Sequence, residues 1–208
     1  YEVTNSIIWQ AYGLTETSPL VSVNDYRQTE FTGSVGFPAA YTEVEIRDEN
    51  NQAITELNEP GELCVRGPQV MSGYWKSEDS GIDENNWFMT GDIARVDETG
   101  NIFIVDRKKD MIIVSGFNVF PNEVEAVVNE HPAVLECGCV GIKGENSQES
   151  VKVFIVLHEG QSLSEDELIS FCREKLTAYK VPKHVEFISE IPKTNVGKVL
   201  RRELKANS

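Results

Sequence analysis

The chain reads as a mixed α+β protein, a β-rich first part followed by a compact α+β module, and three observations predict that class. Apolar and charged residues alternate through 41–47 and again through 62–66, the period of half-exposed antiparallel strands. Beyond residue 107 the pattern changes to helix-spaced apolar residues set between strand-like apolar runs, the order expected of an α+β module. Between the two parts stand Asp106, Arg107, Lys108, Lys109 and Asp110, five consecutive charges that cannot be buried together. That break is expected at the surface and at a boundary, dividing the chain into residues 1–106 and 107–208.

The 208 residues, 40% of them apolar, suffice for one large or two modest domains with proper cores. No run approaches the ~20 apolar residues of a membrane span, and no charged-then-apolar signal segment opens the chain. The first residue is Tyr1 rather than Met, so the chain is expected to be a piece of something longer. Its net charge of −15 is uneven: residues 1–106 carry five basic and 19 acidic side chains, residues 107–208 carry 14 and 15. An acidic first part argues against nucleic acid and against electrostatic docking on anionic lipid. Cys64, Cys137, Cys139 and Cys172 lack CxxC spacing and are expected to be reduced core thiols of a cytoplasmic protein. His131, His158 and His184 are scattered without metal-ligand spacing.

Taken in order, Tyr1 to Gln10 holds Val3, Ile7, Ile8 and Trp9, too short a run to assign. Tyr12-Gly13-Leu14-Thr15-Glu16-Thr17 follows. A glycine turn lets backbone approach a ligand, a hydroxyl can bond a phosphate oxygen and a carboxylate can hold Mg²⁺, although a Thr-Glu pair after glycine is equally a helix cap. Strand 41–47 sets Val44 and Ile46 against Glu43, Glu45 and Arg47, and 62–66 repeats the pattern around Leu63 and Val65. Turns at Asn50-Asn51, Pro60-Gly61 and Gly67-Pro68 make these a small barrel-like sheet. Tyr74, Trp75, Trp87 and Phe88 read as core aromatics.

Asn101 to Val105 and Met111 to Val114 are strand runs flanking the charged break, and Ser115-Gly116-Phe117-Asn118 reads as a loop. Pro121 begins a helix to His131 with Val124, Val127 and Val128 inward, stopped by Pro132, and His131 is expected to pack in the core. Residues 134–142 and 151–157 are buried strands. Ser164 and Glu167 form a capping box for a helix presenting Leu168, Phe171, Cys172 and Leu176, and 184–188 is a last strand. The tail from Pro192 to Arg202 is a turn carrying Lys198 into a basic segment. Its Gly-Lys pair lacks the upstream glycine and following Ser/Thr of a Walker-type loop.

Six segments together resemble, in order, the motifs of the adenylate-forming (acyl-CoA synthetase) superfamily. They are Tyr-Gly-Leu-Thr-Glu at 12–16, Gly-Glu-Leu-Cys-Val-Arg-Gly at 61–67, Thr-Gly-Asp at 90–92, Asp-Arg-Lys-Lys-Asp-Met-Ile at 106–112, Ser-Gly-Phe-Asn-Val-Phe-Pro-Asn-Glu-Val-Glu at 115–125 and Pro-Lys-Thr-Asn-Val-Gly-Lys at 192–198. The wording around them resembles the C-terminal part of bacterial long-chain fatty-acid–CoA ligases. The resemblance implies the distorted β-barrel end of a large AMP-binding domain, then a mobile C-terminal lid turning on a hinge near residue 109.

It also implies ATP, Mg²⁺ and coenzyme A as cofactors, a fatty acid as substrate, and the rest of the same enzyme as the missing partner. The implied location is the cytoplasm, with peripheral contact at the inner membrane allowed. By the same resemblance Tyr12 flanks the adenine, with Gly13 a cofactor-binding residue beside it, Thr15 meets the α-phosphate and Glu16 helps hold Mg²⁺. Asp92 accepts the ribose hydroxyls with Arg107 in support, and Lys198 reaches the α-phosphate and carboxylate oxygens. Lys109 matches the hinge, and Ser115 and Gly116 match the loop lining the pantetheine tunnel. Ile113 and Asn118 depart from the residues some relatives carry there, which puts contacts from those positions in doubt. The loop cradling the β- and γ-phosphates and the acyl tunnel are expected upstream of Tyr12. A carrier-protein-loading adenylation domain, a luciferase-like oxygenase and a non-catalytic binding module are the competing readings.

Overall fold

Antiparallel pairing organises the first part of the chain. The structure, a computed structural model, describes residues 6, 8–77, 80–144, 148–195 and 197–206, and the chain divides into two units, residues 1–108 and 109–208. In the first, β1 (Ala11–Gly13), β2 (Leu20–Val23) and β3 (Phe37–Pro38) form one antiparallel sheet. A second, in the order β4-β5-β6-β7, comprises β4 (Glu43–Arg47), β5 (Gly61–Arg66), β6 (Phe88–Val96) and β7 (Ile102–Arg107). The alternation in 41–47 and 62–66 lands on β4 and β5, and Val21, Val35, Ile46, Leu63, Val65, Ala94 and Ile102 meet in one core, but the strands are not half-exposed throughout: Arg47 at the end of β4 and Cys64 between Leu63 and Val65 are buried too. The two sheets meet at a bridge between Gly36 and Ile102 rather than closing into a complete barrel.

The second unit opens with a hairpin of β8 (Ile112–Val114) and β9 (Phe117–Val119). Then come α1 (Pro121–Val128), β10 (Val134–Lys143), β11 (Glu149–Leu157), α2 (Glu165–Lys175), β12 (His184–Phe187) and α3 (Arg201–Ala206). Pro121 takes the first helical position, where its missing N–H costs nothing. The Ser164–Glu167 capping box is formed, Glu167 N–H donating to Ser164 Oγ and Ser164 N–H to Glu167 Oε2. β11 pairs antiparallel with β10 and parallel with β12. Its period of two gives each face a core: Val151, Val153 and Ile155 join Val124, Val128, Leu168 and Cys172 on one side, while Phe154 and Val156 join Ile191 and Leu204 on the other.

Several expectations change. Trp87 and Phe88 are buried, but Tyr74 and Trp75 are exposed, Trp75 to 88%, because the loop bearing them belongs to no strand. Asp106 is buried rather than on the surface: β7 runs on through it, pairing it with Ile93, and its carboxylate accepts the N–H of Arg107. Of the expected loop at 115–118, Ser115 and Gly116 alone form the turn, and Phe117 and Asn118 pair in β9. α1 ends at Val128, earlier than His131. His131 is half-buried, its ring edge-on to Phe171 at 5.0 Å and its Nδ1 accepting the N–H of Ala133. All four cysteines are buried and unpaired to one another. Ile8 and Trp9 are exposed, and Val3, Ile7 and Val196 lie outside the described residues.

Candidate functional site

A bulge in β6 sets the geometry around Asp92. Cys64 pairs with Met89 and Glu62 with Ile93, so Thr90, Gly91 and Asp92 all stand against the single residue Leu63. Such an insertion bends a strand and re-aims its side chains. Gly91 takes the positive φ of 72° that the bend requires. Ladder bonds are replaced by side chains: Thr90 Oγ1 donates to Leu63 O and accepts from Asp92 N, and Gly91 N–H donates to Glu62 Oε1 at 3.2 Å.

Asp92 is thereby held with only 2% of its surface exposed. Tyr12 Oη donates to its Oδ2 at 2.5 Å, and Arg107 Nε meets its Oδ1 at 2.7 Å. Burial first, then the hydrogen bond to Asp92, raises the Tyr12 phenol well above its ordinary value, so the hydroxyl stays a donor. A carboxylate offers about four acceptor positions, and these two partners leave room for two more donors. The Arg107 side chain is itself 50% exposed.

Tyr12 sits on β1, and Gly13 after it lies so close to the neighbouring strand that an added Cβ would stand 1.7 Å from Pro19 O. The 3-10 turn Thr15–Thr17 follows. Buried Thr17 ties it down through its hydroxyl to Leu14 and Pro19, which leaves the Thr15 side chain exposed. Glu16 is half-buried, with Oε1 accepting from Tyr74 Oη at 2.9 Å and its own carbonyl accepting from Met71 N.

Among the described residues no three His, Cys, Asp or Glu side chains cluster to hold a metal. The Glu16 carboxylate, one oxygen bonded and one not, fits Mg²⁺ brought in on a phosphate ligand, since that ion keeps waters and takes one or two carboxylates. The Glu16 site thus suits a shared metal rather than a caged one.

In the second unit the predicted residues occupy three places. Lys109 is exposed in the 3-10 turn Lys108–Asp110. Ser115 and Gly116, with φ of 52° and 85°, make the two-residue turn of the β8–β9 hairpin, the geometry right-twisted strands prefer. Lys198 lies in a tight turn closed by a Lys193–Val199 bridge, with Thr194 N donating to Lys198 O and Lys198 N to Thr194 Oγ1. Its side chain is exposed, while buried Ile191 and Leu204 anchor the chain on either side. Among the described residues no hydrogen bond or ion pair joins the Lys198 turn to Ser115–Gly116. The structure thus brings together Tyr12, Asp92 and Arg107, and keeps Gly13, Thr15 and Glu16 beside them in sequence. Glu62, Thr90 and Tyr74 also take part, although nothing in the sequence marks a role for them: Glu62 and Thr90 lie inside the 61–67 and 90–92 motifs, and Tyr74 has the bulk of a core aromatic.

The model of the AMP-binding enzyme family matches residues 1–75, and that of the AMP-binding enzyme C-terminal domain matches residues 123–198. The chain belongs to the AMP-binding enzymes. It is 53% identical over 206 residues to a long-chain-fatty-acid–CoA ligase of Escherichia coli O157:H7 and 42% identical over 205 residues to one of Bacillus subtilis, in each case over 98% of this chain. The chain spans about a third of those relatives, 36% and 37% of their lengths. Among solved structures, ATP-bound MatB from Rhodopseudomonas palustris matches with a TM-score of 0.89 at 29% identity, over 96% of this chain and 40% of that one. The o-succinylbenzoate CoA synthetase MenE of Bacillus subtilis, in complex with its acyl-adenylate intermediate, matches with a TM-score of 0.83 at 34% identity, over 96% and 41%. Both structural relatives handle a nucleotide.

Proposed function

We propose that this AMP-binding chain is part of a long-chain fatty-acid–CoA ligase, which joins a fatty acid to ATP as an acyl-adenylate with release of pyrophosphate and then lets the thiol of coenzyme A displace AMP. The observation that carries the reading is the buried Asp92 carboxylate, oriented by Tyr12 and Arg107 yet with acceptor capacity to spare. Two ribose hydroxyls are donors of the number and kind it can take. The Tyr12 ring and the tight Gly13 turn would flank the adenine, exposed Thr15 would meet the α-phosphate, and Glu16 would share Mg²⁺ with the phosphates.

Lys198 supplies a cation for the first half-reaction, where a fixed charge contributes most to a transition state gaining charge. Its tight, anchored turn supports that use. Lys109 serves as the hinge between an AMP-binding part and a lid, and the Ser115–Gly116 turn lines the path of pantetheine, whose thin arm suits a turn with little side chain. The identity to ligases of that name over nearly the whole chain supports a fatty acid as the acyl substrate. Among the described residues no helix is long and apolar enough to cross a membrane. We place the parent in the cytoplasm, with peripheral access to the inner membrane where its substrates partition.

The test is product analysis on the intact parent. ATP should be consumed with equal formation of AMP, pyrophosphate and acyl-CoA, and only with both fatty acid and CoA present. Formation of ADP, or acyl transfer to a carrier protein in preference to CoA, would refute the proposal.

A further inference from the structure

We infer that Glu62 is a positioning residue for the nucleotide sugar, acting through the bulge that aims Asp92. The inference rests on the proposal that Asp92 receives the ribose. Glu62 stands on β5 with its side chain only 12% exposed, and both carboxylate oxygens are engaged: Oε1 accepts the N–H of Gly91 at 3.2 Å, and Oε2 meets Lys108 Nζ at 2.6 Å. Gly91 is the left-handed pivot of the bulge and the residue before Asp92.

Two residues too many face Leu63 across this pair of strands, so on the β5 side the pairing does not fix where Asp92 points, whereas on the other side Asp92 is in register with Arg107 of β7. On the β5 side two side-chain acceptors take over: Thr90 Oγ1 accepts the N–H of Asp92 and Glu62 Oε1 accepts the N–H of Gly91. The second is charge-assisted, with an anion accepting from backbone, and is the stronger kind. Lys108, half exposed, is the lesser partner, since ion pairs open to water contribute little. It keeps Oε1 turned toward Gly91. Glu62 itself touches neither substrate nor nucleotide in this account. Its effect reaches the ribose through the Gly91 backbone and the Asp92 carboxylate.

The test compares the intact parent with its E62A and E62Q variants in the adenylation half-reaction, using ATP and 2′,3′-dideoxy-ATP. The wild type should lose affinity for the dideoxy nucleotide. E62A should raise the KM for ATP about tenfold, the scale of one charge-assisted hydrogen bond, with little further loss on dideoxy-ATP. E62Q, whose amide oxygen can still accept from Gly91 but without the charge or the Lys108 ion pair, should fall between the wild type and E62A. A purely structural role for Glu62 would weaken both nucleotides alike, and that result, or an E62A indistinguishable from wild type, overturns the inference while leaving the ribose assignment intact. A wild type that does not discriminate between the two nucleotides overturns the ribose assignment and the inference together.

Discussion

Gly138 and Leu204 form a contact that seats α3 on β10. Leu204 is 2% exposed on α3, in a cluster with Val140, Phe154, Val156 and Ile191. α3 has six residues, far below the length at which a helix holds itself together in water, so docking through Leu204 must stabilise it. Leu204→Ala should therefore cost about 3 kcal/mol, within the range for a buried leucine. A Cβ built on Gly138 would lie 2.6 Å from Leu204 Cδ1 and 3.4 Å from Val199 Cγ1. Gly138 does not have a positive φ, so Gly138→Ala meets crowding without backbone strain and should cost about 1 kcal/mol.

Combined, the new methyl enters the space the leucine vacates, and the double variant should be destabilised by about 2 kcal/mol rather than the roughly 4 of independent sites. Trp9, Trp75 and Trp87 all lie in residues 1–108, so tryptophan fluorescence does not report on this contact. Amide hydrogen exchange across β10 and β11, followed by mass spectrometry, does. Additive losses in the double variant would show that α3 is not seated on Gly138, and with it the account of how the Lys198 turn is anchored would fail.

On the intact parent, Lys198→Ala should slow adenylate formation roughly a hundredfold while sparing thioester formation from supplied acyl-AMP; equal losses in both steps would contradict the division of labour. Lys109→Pro fixes φ near −65° and removes an N–H. Adenylation should survive it and thioester formation should not, in a variant whose melting temperature is unchanged; parallel losses, or none, would remove Lys109 from the hinge role. Burial pushes the Cys64 thiol up to about 12 and Cys172 up to about 11, so both should resist iodoacetamide at pH 8.5, where an ordinary thiol is about half ionised. Because the folded values are raised, their contribution to stability is whole below the unfolded pKa and is lost as pH climbs toward 11 to 12. The urea midpoint should fall between pH 8 and 10, and a rise would contradict the sign.

The elements legible in the sequence are those whose signal is local. Pro121 at a helix start, the Ser164–Glu167 capping box and the long apolar strands β10 and β11 need no distant partner to be recognised. α3 has no local signal because its six residues depend on docking, and the fate of Tyr74 and Trp75 depends on strand pairing that aromatic bulk does not reveal. Asp106 looked too charged to bury because a run of like residues conceals which one a strand carries inward. Tyr12 and Asp92 are 80 residues apart, and no spacing rule joins them; the ordered motifs pointed to both, and the geometry shows how they meet. The part played by Glu62 depends on a bulge, which is a property of paired strands and not of either alone.

The end of β7 also sets which length changes the chain can accept. Arg107 meets Asp92 and its neighbour Lys108 meets Glu62, so consecutive cations are matched to carboxylates on different strands. A one-residue shift moves every side chain of a strand to the opposite face. Loss of a residue ahead of Arg107 would slide Lys108 and Lys109 into those two places, but it would also drive the Arg107 guanidinium into the buried place of Asp106. Gain of a residue would instead bring Asp106 up to Asp92, two carboxylates in one buried spot. Variation in length at this junction should therefore fall after Lys108, beyond both matched pairs.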